Sequence, residues 1–123
     1  MSYDLYFWRQ RTGCTVPPAS TMRQLIDGDV TNHTVPLPID DIRREIAAHF
    51  PQAELNRSRS GDLEQLVVEL PDGSCATVEW SEHYFCVGSH RCTGDTLNTF
   101  IDIAEKYGAY LFDPQSGRRY GGE

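Results

Sequence analysis

The stretch LEQLVVELPDGSCATVEW, residues 63–80, decides the fold because apolar and polar residues alternate on both sides of PDGS. This period of two predicts two β-strands. A type I turn over residues 70–73, with Gly73 as a left-handed bulge residue, sets the register of the two strands. In this register the numbers of two paired residues add up to an even value, so even-numbered residues lie opposite even-numbered residues. A plain two-residue Asp-Gly turn would separate the two apolar sets onto opposite faces. The pattern therefore predicts a hairpin with one apolar face, which holds Leu66, Val68, Leu70, Ala76, Val78 and Trp80.

A third strand is predicted in the segment YFCVGSH, which follows this hairpin. A loop centred on residues 82–83 pairs Trp80 with Phe85 and Glu79 with Cys86, and this register keeps the apolar residues on one face. The other face is mixed and partly acidic, and it carries Gln65, Val67, Glu69, Cys75, Thr77, Glu79, Cys86 and His90. Its apolar members indicate that water does not reach all of this face.

The flanking sequence predicts helices at residues 19–27, 39–50 and 96–107, and further strands at residues 3–8 and 109–112. In the second helix the apolar positions recur every three or four residues, which places them on one stripe. Asp95 is the expected N-cap of the third helix. The expected fold is one α+β domain over residues 1–123. It has a mainly antiparallel sheet of four to five strands, with two or three helices packed on one face.

The charge of the chain limits the classes of partner. The net charge is −7 and the isoelectric point is near 5.0, whereas a nucleic-acid-binding surface needs a basic stripe. An acidic protein suits a basic protein partner, although a mildly acidic surface also serves solubility. The first eleven residues hold only a short apolar run, so neither a signal peptide nor a membrane contact is expected. The expected location is the cytoplasm, where thiols stay reduced.

The segment YFCVGSHRC holds two of the four cysteines and one of the four histidines. Along a strand Cys86 and His90 lie about 13 Å apart, too far to bind one metal ion. Glu79 opposite Cys86 is expected to raise the pKa of its thiol, so Cys75 and His90 form the better thiol–base pair. We therefore predict no catalytic residue, no metal and no cofactor. The alternative is a small cytosolic thiol-dependent enzyme, or a redox or metal sensor, that uses Cys75, Cys86 and His90.

Acidic and aromatic residues around the central hairpins form the predicted partner-binding surface. Its members are Asp62, Glu64, Glu69, Glu79, Trp80, Glu82 and Tyr84. The pair Asp27 and Asp29 adds to the negative charge. Trp80 and Tyr84 border the second hairpin loop, and aromatic anchors of this kind are typical of protein interfaces. Solubility alone explains any single acid, so the prediction depends on the combination.

Three segments resemble small bacterial immunity proteins encoded beside polymorphic toxins, including those of contact-dependent growth inhibition systems. They are the opening YDLYFW, the helix from LPIDDI to HFP, and the closing IDIAEKYGAYLFDPQSG. The resemblance implies a cytosolic, non-enzymatic protein that binds one cognate toxin domain, often a nuclease, and blocks its active site. An acidic inhibitor of a basic toxin domain is electrostatically reasonable. We expect a monomer or a weak dimer.

Overall fold

Eight strands and three helices form the described part of the chain, residues 2–28, 32–57 and 64–120 of a computed structural model. In chain order they are β1 (Ser2–Gln10), α1 (Pro18–Ile26), β2 (Thr34–Val35), α2 (Ile39–His49), β3 (Glu54–Arg57), β4 (Glu64–Glu69), β5 (Cys75–Trp80), β6 (Tyr84–His90), α3 (Gly94–Lys106), β7 (Tyr110–Asp113) and β8 (Arg118–Arg119). Every strand pair is antiparallel. The predicted α+β class with an antiparallel sheet is confirmed.

The hairpin between β4 and β5 has the predicted turn and register. Gly73 adopts a positive φ of 85°, its N–H donates to the Leu70 carbonyl at 3.0 Å, and the Leu70 N–H donates to the Ser74 carbonyl at 2.9 Å. Leu66 consequently lies opposite Val78. The apolar residues of both strands therefore share one face.

The strands follow the order β3-β4-β5-β6-β1-β7-β8, and β2 pairs with the end of β1. The second hairpin also has the predicted register, since Trp80 lies opposite Phe85 and Glu79 opposite Cys86. β1, the first strand of the chain, lies between β6 and β7. Its position beside β6 brings residues of the N-terminal segment next to the central hairpins.

Helices α2 and α3 cover one face of the sheet. Their buried residues join those of β1, β4, β5 and β6 in one core, which includes Leu5, Phe7, Ile42, Ile46, Leu66, Val68, Ala76, Val78, Phe85, Val87, Phe100, Ile103 and Ala104. Two stacked aromatic pairs lie in it, Phe7 with Phe85 at 4.7 Å and Phe50 with Phe100 at 5.0 Å between ring centroids. This core accounts for most of the buried apolar surface that stabilises the fold.

Helix α1 packs on the opposite face, so two of the three helices share one face, in line with the predicted two or three. Trp8 follows Phe7 along β1 and therefore points away from the α2–α3 core. It forms a second buried cluster with Phe112 of β7 and Leu25 of α1. A large apolar ring on this face needs cover from water, and α1 supplies it.

The prediction of four to five strands is also wrong, because β2, β3 and β8 were not anticipated. These strands are two, four and two residues long. Such short segments show no period in the sequence and are strands only because a neighbour pairs with them. Likewise, the N-cap of α3 is Thr93 and not Asp95, since the Thr93 Oγ1 accepts from the Thr96 N–H at 3.3 Å.

Ile46→Ala is expected to lower the free energy of unfolding by about 2–5 kcal/mol. The side chain is fully buried (0% exposed) in the α2–α3 core, and its truncation leaves a cavity. Ile26→Ala is the matched control, because Ile26 is 47% exposed, and we expect it to change stability by about 0.5 kcal/mol or less. Urea unfolding of both variants measures the difference. Equal losses would contradict the assignment of the core.

Candidate interaction surface on the sheet

The face of the sheet opposite α2 and α3 is covered by α1 at one end only. Among the described residues, the cluster beneath α1 draws on β1, β6 and β7 and includes no residue of β3, β4 or β5. We call the remaining surface the open face. Among the described residues, the open face includes the backbone of Gly88. It also carries the side chains of Asp4, Tyr6, Glu54, Gln65, Val67, Glu69, Cys75, Thr77, Glu79, Cys86 and His90.

Strand pairing arranges the open face in three rows across the sheet. The first row runs through Tyr6, Cys86, Glu79 and Gln65, the second through Asp4, Gly88, Thr77, Val67 and Glu54, and the third through His90, Cys75 and Glu69. Residues in a row lie side by side at the spacing of paired strands. In the second row, half-buried residues lie between the terminal acids Asp4 and Glu54, whereas Glu79 lies within the first row beside Cys86.

The acids of the open face differ from the acids of α2 in their pairing. In residues 2–28, 32–57 and 64–120, the three ion pairs are Asp40 with Arg43, Asp41 with Arg44, and Glu45 with Lys106. All six of these residues lie on α2 or α3. The exposed acids of the open face have no such cation within the same residues, although the Gln65 amide donates to the Glu79 carboxylate at 2.8 Å. The open face thus presents negative charge that the described protein does not neutralise.

The centre of the open face is uncharged at neutral pH. Burial raises the pKa of the Cys86 thiol to about 12, and the carboxylates of Asp4 and Glu79 act in the same direction. Burial also raises the pKa of Tyr6 and of Tyr84, whose rings lie 6.4 Å apart. The centre is thus half-buried and neutral within an acidic margin, a distribution that resembles the apolar core and polar rim of protein interfaces.

The structure brings together part of the predicted partner-binding surface. Glu69 and Glu79 lie on the open face, and Tyr84 lies at its end, packed against the cluster beneath α1. Glu64 begins β4, where its backbone lies opposite Arg57. Asp62 falls outside the described residues.

Two of the predicted residues lie elsewhere. Trp80 belongs to the face covered by the helices, where the Arg43 guanidinium lies 4.4 Å from its ring centroid. Adjacent residues of a strand point to opposite faces. Glu82 lies in the loop between β5 and β6, where its carbonyl accepts from the Leu37 N–H at 2.9 Å. Asp27 is the exposed C-cap of α1, and Asp29 falls outside the described residues.

Four members of the open face were not predicted: Asp4, Tyr6, Glu54 and Gly88. Asp4 and Tyr6 alternate with the buried Leu5 along YDLYFW, which indicates their common face but not its position in the sheet. Their place beside the central hairpins follows from the pairing of β1 with β6, across eighty or more residues of chain.

The thiols are arranged as expected in one respect. Cys75 lies opposite His90 in the ladder between β5 and β6. The Cys92 thiol donates to the Cys75 carbonyl at 3.2 Å, and burial raises the pKa of Cys92. Within the described ranges, no three side chains from histidine, cysteine, aspartate and glutamate are grouped so as to hold a metal ion.

No protein-family model and no curated protein matches this chain. Of the helices in the described ranges, none is both long enough and apolar enough to cross a bilayer.

Trp80→Ala is expected to destabilise the fold by about 1–3 kcal/mol, because the half-buried ring packs against the α2–α3 core. Glu79→Gln, at the neighbouring exposed position, should change stability by about 0.5 kcal/mol or less. Thermal or urea unfolding of the two variants tests this. A Trp80→Ala protein as stable as the Glu79→Gln protein would instead favour a role for Trp80 in an interaction surface.

Proposed function

We propose that the protein is a non-enzymatic binding protein, an immunity protein that neutralises a cognate bacterial toxin domain by direct binding. The observation that carries this proposal is the open face, whose exposed acids lack cationic partners among the described residues while the acids of α2 are ion-paired. Unpaired surface charge of one sign accelerates association with a partner of the opposite sign. The proposed partner is therefore a basic protein domain.

A nuclease domain fits this chemistry. Nucleases bind phosphate backbones and carry lysine and arginine for that purpose. Carboxylates at the margin of the open face would pair with those cations in place of phosphates. The neutral, half-buried centre supplies the water-excluding part of the contact.

The size of the open face bears on how far the proposed contact with the partner extends beyond it. From β3 to β1 it spans five neighbouring strands, which gives a surface of roughly 20 Å by 20 Å. A stable interface buries about 800 Å² of accessible surface on each partner. We propose that the contact also includes an adjoining loop. Glu82, exposed in the loop between β5 and β6, is the acid that best extends the surface.

The proposal is tested by recovering the partner with the tagged protein from its native organism and identifying it by mass spectrometry. We expect a basic toxin domain whose activity an equimolar amount of the protein abolishes. The double variant Glu69→Gln/Glu79→Gln should weaken this binding about tenfold or more, since it removes two charges from the open face.

The matched control is Asp102→Asn/Glu105→Gln, which removes two exposed charges from α3 and leaves the open face intact. Both double variants change the net charge equally. If both weaken binding to the same extent, or neither does, the open face is not the interface. A recovered partner that the protein does not inhibit would overturn the proposed function itself.

The thiol-dependent alternative is favoured by one observation, the position of Cys75 opposite His90. It is opposed at Cys86, where burial and two carboxylates raise the pKa to about 12. A nucleophilic cysteine needs the opposite environment, with cations that stabilise the thiolate. The environment of Cys86 therefore opposes its use as the reactive thiol of such an enzyme, and the alternative depends on Cys75 and His90.

Pulsed alkylation at pH 8, with mass spectrometry of the labelled peptides, separates these possibilities. We expect Cys86 to react very slowly in the folded protein, because a thiol with a pKa of about 12 is ionised to only about one part in ten thousand. In denaturant it should react like any free thiol. Cys75 should alkylate at the same rate in the His90→Ala protein as in the original. A strong fall in that rate would instead support the thiol alternative.

A further inference from the structure

Strand β3 forms one edge of the sheet and carries an exposed leucine. Of the strands that the structure describes, only β4 pairs with β3. The N–H and C=O groups along such an edge can pair with a further strand. Proteins usually protect a strand edge with charged residues, proline or a very short strand. Leu55 of β3 is 43% exposed and offers no such protection.

The opposite edge of the sheet is built differently. The strand order ends there in β8, which has two residues, both of them arginine. A short and charged strand discourages pairing with another chain. Of these two edges, β3 is therefore the one that suits the addition of a strand.

A groove lies on the helix-covered face next to Leu55. Leu55 lies opposite Leu66 in the ladder between β3 and β4, so the two residues share this face. Leu66 lines a groove of about 330 Å³ beside α2. The other residues that line it are Asp40, Arg43, Arg44 and Ala47. Apolar side chains are thus present both on the edge strand and in the groove beside it.

The charges around this edge are balanced, in contrast to those of the open face. The two arginines of the groove form ion pairs with Asp40 and Asp41. β3 itself contains one acid, Glu54, and one base, Arg57. A basic domain gains no attraction from a neutral edge, whereas a second copy of this chain meets no local repulsion there. The net charge of −7 acts from a greater distance and is screened by salt.

The sequence of β3 is complementary to itself in one antiparallel register. When Leu55 lies opposite Leu55 of a second copy, Glu54 lies opposite Asn56, which is uncharged. A shift by two residues in one direction would place the two Glu54 residues opposite each other, and like charges oppose that pairing. The same shift in the other direction would place Leu55 opposite Arg57. The register with opposed leucines is therefore favoured.

We propose that the protein forms a weak homodimer in which the β3 strands of two copies pair antiparallel about a two-fold axis, with Leu55 opposite Leu55. Opposite residues of antiparallel strands point to the same face, so the helices of both copies lie on one side of the joined sheet. Both open faces lie on the other side and stay accessible. The association is weak because the paired strand has only four residues.

Sedimentation equilibrium of the full chain at increasing protein concentration measures this association. We expect the average mass to rise from 13.9 kDa toward twice that value. Leu55→Lys should weaken the association about tenfold or more, because it removes the apolar contact and places like charges opposite each other. Ile26→Lys is the matched control, since Ile26 is a similarly exposed apolar residue on α1 and the substitution adds the same charge. It should leave the association unchanged.

A cross-link tests the register without relying on the lysine variant. In the Leu55→Cys protein the two substituted residues would have Cα atoms about 4.5–5.5 Å apart, which suits a disulfide. One thiolate attacks oxidised glutathione and releases a glutathione thiol, and the second thiolate attacks the mixed disulfide and releases the other. Peptide mapping should locate the bridge at position 55 of both chains and distinguish it from any bridge of the four native cysteines. Ile26→Cys should give no matching bridge.

Three outcomes would each overturn the inference: the mass of one chain at every concentration, equal association of the Leu55→Lys and Ile26→Lys proteins, or a dimer without the bridge at position 55. A monomer whose β3 amides are protected from hydrogen exchange only by a recovered partner would assign the edge to that partner instead. The inference does not depend on the proposed function. An inhibited toxin with a monomeric inhibitor removes the dimer alone, whereas a β3 dimer without any inhibited toxin removes the immunity function alone.

Discussion

The register of the β4–β5 hairpin determines which side chains of the sheet meet the helices and which meet solvent. The turn with Gly73 in the left-handed region pairs Leu66 with Val78 and therefore puts both apolar sets on the α2–α3 side. The ladders to β6 and β1 continue the same alternation across the sheet. A slip of one residue would move Glu79 into the core and Val78 into water. The core and the open face are two consequences of this one register.

The two faces of the sheet are covered unequally because their apolar content differs. Residues of β4 and β5 on one face are buried and apolar, and two helices pack on them. On the other face Trp8 and Phe112 lie at the β1–β7 end, and α1 covers only that end. The acids beyond it lack cationic partners among the described residues, while those of α2 are paired with arginine or lysine. This part of the sheet therefore carries negative charge that no described cation compensates.

The centre of the open face combines features that suit binding better than covalent chemistry. Cys86 is a half-buried thiol whose environment disfavours ionisation, and Tyr6 is similarly held in its neutral form. Gly88 weakens its strand and leaves space for the Asp4 carboxylate above the sheet.

The sequence by itself determined the three central strands, their turns and registers, and the approximate bounds of all three helices, because alternation, turn residues and helical stripes are local patterns. It also indicated Glu69, Glu79 and Cys86 as members of one mixed face. The tertiary structure alone decided that β1 lies between β6 and β7, that α1 packs opposite α2 and α3, and that Asp4 and Tyr6 join Gly88 and Cys86. These features depend on pairing between segments far apart in the chain. Alternation specifies which residues share a face of a strand. Which strands become neighbours depends instead on burying the large side chains of both faces at the same time.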